Sequence, residues 1–182
     1  MDLKTLIAGY EEWITRFLKD YWQVYYITFQ FNHLSSNQKV AQELMKKEIE
    51  RFYATLLTNV VRRPKHPCNN PQLIGFPDKP VAKRKSTYRL DDIVPNSGLH
   101  VHCIVTIPPG SRLKESLDDH INAHEPRYVG SHGKIQSLHV ERIRELKGRL
   151  IDYTFKHIKR HTFTTDDILI YPKASSELQT AG

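Results

Sequence analysis

The stretch SGLHVHCIVTIPPG, residues 97–110, decides how this chain is read. Taken as a β-strand, it sends Leu99, Val101, Cys103, Val105 and Ile107 to one face and His100, His102, Ile104 and Thr106 to the other. Pro108, Pro109 and Gly110 stop it. The first set is a core face. The second brings two imidazoles together, a natural beginning for a divalent metal site. A metal needs further ligands, and Asp91 and Asp92 lie just upstream, with Glu141 and His139 as alternatives.

Outward from this strand, the chain alternates helical and extended patterns. Toward the N-terminus, Leu3, Leu6, Ile7, Tyr10, Trp13, Ile14, Phe17, Leu18 and Tyr21 recur at helical spacing and predict an amphipathic helix over residues 1–21, packed on the core. VYYITFQFN (24–32) is rich in β-branched and aromatic residues and predicts the first strand. Residues 36–61 open on capping residues and carry Val40, Leu44, Ile49, Phe52, Leu56 and Val60 at helical intervals, a long helix. Between residues 62 and 85 five prolines and two basic clusters predict a surface excursion, with QLIGF (72–76) as a short strand.

Toward the C-terminus, Ser111 is the expected cap of a helix using Leu113, Leu117 and Ile121, which Pro126 closes. KIQSLHVERI (134–143) alternates as a strand, with Leu138 and Val140 on one face and His139 and Glu141 on the other. A last helix spans about residues 145–161, and residues 172–182 read as a flexible tail. Strands interleaved with helices without strict βαβ repetition predict an α+β fold: a sheet with helices packed on it, plus the N-terminal amphipathic helix.

The 182 residues are 39% hydrophobic and suffice for one core, with the main domain over residues 22–165. A net charge of +7 admits an anionic partner such as nucleic acid. Two cysteines, Cys68 and Cys103, make no disulfide framework and fit a cytoplasmic setting. The sequence shows no membrane span, signal peptide, internal repeat or GxxxxGK phosphate loop.

On the last helix, Leu150, Ile151, Phe155 and Ile158 cluster on one side, while Arg149, Tyr153, Lys156 and Arg160 form a stripe on the other. A phenol among cations is suited to meet a phosphodiester, because positive charge attracts the backbone and favours the phenolate.

His100-Val-His102 on an apolar strand, followed by SLHVERI and then a helix carrying Tyr153-Thr-Phe-Lys156, resembles the HUH endonucleases, in particular single-tyrosine rolling-circle replication initiators. The resemblance covers residues 22–161 and implies an antiparallel, ferredoxin-like sheet. It also implies His100, His102 and Asp92 as ligands of Mg²⁺ or Mn²⁺, with Asp91 and Glu141 as alternatives to Asp92. Tyr153 would be the nucleophile and Lys156 its aid.

The implied activity is site-specific nicking of single-stranded DNA or an origin hairpin through a 5′-phosphotyrosine, with a host helicase unwinding. The basic residues Arg62, Arg63, Lys65, Lys83, Arg84, Lys85, Arg149 and Arg160 are the expected DNA contacts. A single-tyrosine transposase or relaxase-like nickase shares this logic, and a non-cleaving DNA-binding regulator is the alternative of a different class.

Overall fold

A computed structural model describes residues 3–62, 69–79, 95–129, 133–145 and 164–173. Five strands, β1 (Gln23–Phe31), β2 (Gln72–Asp78), β3 (His100–Ile107), β4 (Ile135–Ile143) and β5 (Leu169–Tyr171), form one sheet in the order β4-β1-β3-β2-β5. Each neighbouring pair is antiparallel. With helices α1 (Leu3–Lys19), α2 (Gln38–Val60), α3 (Leu117–Ala123) and α4 (Glu125–Tyr128), the chain is α+β, as the interleaved patterns predict.

The sheet is covered on both faces, which is why β3 is buried along most of its length. On one face Tyr25, Ile27, Phe29, Val101, Cys103 and Val105 pack with Met45, Ile49, Phe52 and Leu56 of α2. Phe29 and Phe52 meet edge to face at 4.8 Å. Phe52 is fully buried, so truncating it to alanine would cost about 3–5 kcal/mol. Asn37 starts α2, its side chain accepting a hydrogen bond from the Val40 amide at 3.2 Å.

On the opposite face, Ile14 and Phe17 of α1 pack with Val24, Tyr26, Ile74, Phe76, Ile104 and Ile143. The helix thus docks by the apolar stripe its sequence shows. It ends at Lys19, and Tyr21, expected as its last apolar contact, is 87% exposed with a positive φ of 61°.

Two local expectations need correction. Ser116, not Ser111, caps α3, because the Ser116 hydroxyl accepts from the Asp119 amide one turn on. Pro126 does not close a helix but sits in the first turn of α4, where its missing N–H is not needed. A strand not expected from the sequence, β5, ends at Tyr171 directly before the expected tail, with Tyr171 paired to Leu73 at the sheet edge. The tail proper, residues 174–182, lies outside the described residues, as does the expected helix beyond residue 145.

Candidate metal centre

Antiparallel register brings the site together. His100 of β3 stands opposite Asp78, the last residue of β2, and His102 stands opposite Phe76 on β2 and Thr28 on β1. The side chains of Asp78, His100, His102 and Thr28 project to the α1 side of the sheet, beside Phe76 and Tyr26 of the core packed under α1.

Here His100 Nε2 lies 3.1 Å from His102 Nε2. Asp78 Oδ2 lies 3.1 Å from His102 Nε2 and 3.5 Å from His100 Nε2. Asp78 and His102 are buried, and His100 is partly exposed, so the cluster has one open side.

Each ring is held from behind. His100 Nδ1 is 2.8 Å from the Gly98 carbonyl, which can only accept, so Nδ1 carries the proton and Nε2 presents its lone pair to the cluster. His102 Nδ1 lies 3.1 Å from Thr28 Oγ1, and its ring stacks on Tyr26 at 5.2 Å and 20°.

The turn that supplies Gly98 is itself pinned. Asn96, at φ 56°, accepts from the Leu34 amide at 2.7 Å and donates to the Asn32 carbonyl at 2.9 Å, while Gly98 takes φ 73°. Asparagine and glycine are the residues that adopt this left-handed backbone without a large penalty.

Two imidazole nitrogens and a carboxylate oxygen therefore converge as electron-pair donors. A proton or a cation must lie among them. Their triangle has a circumradius of about 1.9 Å, close to the usual metal–nitrogen distance of about 2.0–2.1 Å, so the three atoms are spaced as donors to one small divalent ion would be. Outer-shell partners fixing both rings are what such a centre requires. Two imidazoles and a carboxylate are a donor set for a divalent metal ion.

Of the sequence candidates, His100 and His102 are joined in this cluster. Asp78 is the candidate ligand that sequence reasoning missed; it follows Pro77 within the proline-rich 62–85 excursion and reads as a turn residue. Asp91 and Asp92 lie outside the described residues. His139 and Glu141 share the face of the cluster but pair with Thr28 and Tyr26, on the far side of β1 from β3, and are not part of it. Cys103 lies on the opposite face, fully buried, and burial pushes its thiol well above the ordinary range.

Arg62 is exposed just beyond α2, whereas Arg63, Lys65, Lys83, Arg84, Lys85, Arg149, Tyr153, Lys156 and Arg160 lie outside the described residues. Among the described tyrosines, burial raises the phenols of Tyr10, Tyr25, Tyr53, Tyr128 and Tyr171, which opposes formation of a phenolate.

No helix among the described residues is long and apolar enough to cross a membrane. Comparison with family models, curated proteins and solved structures finds no match to this chain.

Proposed function

We propose that the chain is a metal-dependent, site-specific endonuclease and strand-transferase of single-stranded DNA, acting through a 5′-phosphotyrosine as HUH replication initiators do. The observation that carries this reading is the convergence of His100 Nε2, His102 Nε2 and Asp78 Oδ2 on one point of an antiparallel sheet. Supporting it are the basic composition and the Tyr153-Thr-Phe-Lys156 sequence downstream.

His100, His102 and Asp78 would hold Mg²⁺ or Mn²⁺, which when bound polarises a phosphodiester and offsets charge on its oxygens. Thr28 and the Gly98 carbonyl keep the two imidazoles facing that point. Tyr153 Oη attacks the phosphorus, forming the Tyr–O–P bond as the P–O3′ bond breaks; the phenol's proton is lost and the departing 3′-oxygen gains one. One ester replaces another, so rejoining needs no ATP. Lys156 favours the attacking phenolate, and the basic residues of the 62–85 excursion hold the strand.

The test uses an oligonucleotide from the flanking origin region, labelled at either end and incubated with Mn²⁺. Wild type should yield a boiling-resistant adduct carrying the 3′-labelled fragment, and Tyr153→Phe should yield none while still binding DNA. Binding without any adduct from the wild type would instead make the chain a DNA-binding regulator. Adduct from Tyr153→Phe would move the nucleophile to another tyrosine.

A further inference from the structure

β4 forms one edge of the sheet, and among the described residues only β1 pairs with it. The opposite edge is blunted: β5 has three residues and runs into Pro172, which has no N–H to offer. β4 has nine residues and no proline, glycine or lysine, so its outer N–H and C=O groups form a long row open to another strand. A register shift opposite Gln30 and Phe31 lies at its start and leaves Ser137–Ile143 regularly paired with β1.

In character the strand reads alike in both directions. Counted outward from His139, Leu138 matches Val140, Ser137 matches Glu141, Gln136 matches Arg142 and Ile135 matches Ile143. Its burial follows the same symmetry. Ile135 and Ile143 are buried, Leu138 and Val140 half-buried, and His139 and the other polar residues exposed.

We propose that β4 pairs antiparallel with β4 of a second copy of the chain, about a two-fold axis through His139, joining the two sheets into one of ten strands. A two-fold contact needs a surface complementary to itself, and this register supplies it. Leu138 of each copy meets Val140 of the other on the α2 face, where both already pack against the core. Glu141 meets Ser137 and Arg142 meets Gln136, so neither the acids nor the arginines oppose one another. Moving the axis to Leu138 or to Val140 would instead set Ile135 against Glu141 or Leu138 against Arg142. The pairing also aligns the two Asp78–His100–His102 clusters. His102 stands opposite Thr28 and Thr28 opposite His139, so one row runs from His102 through the axis to the second His102. Both clusters then lie on the same face of the joined sheet, five strand spacings or roughly 24 Å apart.

The test is sedimentation velocity on the full chain, without metal or DNA, which should show a dimer that dissociates on dilution. Ser137→Glu sets two pairs of carboxylates against each other and should weaken the dimer about tenfold, whereas Ser137→Lys sets opposite charges there and should tighten it by a similar factor. Ser137 and Glu141 are exposed, so folding tolerates these changes. Adding Glu141→Lys to Ser137→Glu should restore association. In a Cys68→Ser background, His139→Cys should oxidise to a disulfide-linked dimer; Glu141→Cys, roughly 14 Å from its counterpart, should not. A wild type that stays monomeric at every concentration overturns the proposal, whether the edge then serves a peptide of another protein or nothing. So do Ser137→Glu and Ser137→Lys variants that associate alike, and a cross-link at Glu141→Cys as ready as that at His139→Cys, which would place the contact elsewhere.

Discussion

Thr28 and His102 face each other across the β1–β3 pair, and the Thr28 hydroxyl lies 3.1 Å from the ring nitrogen of His102 that points away from the cluster. This bond fixes which nitrogen faces Asp78 and His100. Thr28→Val keeps the β-branched shape and removes the hydroxyl, so Mn²⁺ affinity measured by calorimetry should fall about 10- to 100-fold. Thr28→Ser should restore most of it. Affinity at the wild-type level in Thr28→Val would mean that the Tyr26 stack alone orients the ring.

Asp78→Asn removes the negative charge of the cluster while keeping its shape. The expected loss of Mn²⁺ affinity exceeds the roughly 100-fold upper range of an outer-shell change. In wild type, metal at a hundred times its Kd should stabilise the fold by about 2.7 kcal/mol; Asp78→Asn, His100→Ala and His102→Ala should lose this gain in a thermal melt at the same metal concentration. Asp92→Asn, measured alongside, should lose less. The reverse order would make Asp92 the principal carboxylate.

A second histidine carries a different consequence. His120 is buried between Glu115, at 2.9 Å from Nδ1, and the Tyr128 hydroxyl, at 3.0 Å from Nε2. Burial pushes the Tyr128 phenol up to about 12, and the hydrogen bond from His120 holds the Glu115 carboxyl below its ordinary value of 4.5. A carboxylate depressed in the folded state stabilises fully above its unfolded pKa, and that contribution is lost as pH falls through the folded value. Urea midpoints between pH 6 and 3 should therefore decline below about pH 4.5, and Glu115→Gln should flatten that limb. An identical decline in the variant would place the acid sensitivity elsewhere.

Cys103 reports on the other side of the sheet. It is fully buried with a raised thiol pKa, so in a Cys68→Ser background a disulfide reagent at neutral pH should modify it only as fast as the fold opens. Its labelling rate should rise with urea in step with global unfolding. A rapid phase in buffer alone would reveal local opening between α2 and the sheet.

The histidine pair, the two faces of β3 and β4, and the helical stripes of α1 and α2 are legible in the sequence because each is a periodicity within one element. Asp78 is not legible that way. It becomes a ligand through the pairing of β2 with β3, a contact between segments more than twenty residues apart, and Gly75 and Pro77 blur the strand that carries it. β5 is hidden for a different reason: three residues followed by Pro172 are too few to display alternation. Ser111 and Ser116 both precede apolar residues at helical spacing, and only the fold selects Ser116.

Asp78 immediately precedes, and His100 follows within one residue, the segment 79–98 that contains Lys83, Arg84 and Lys85. An ion held by Asp78 and His100 would tie the exit of this segment to its return, like a knot at the neck of a bag. In the proposed nuclease, a ligand that this segment binds would be linked to the ion in both directions: DNA held by Lys83, Arg84 and Lys85 would strengthen metal binding by the same factor by which metal strengthened the hold on DNA. Ion concentration would then set the DNA occupancy of the proposed nuclease, apart from any part in cutting.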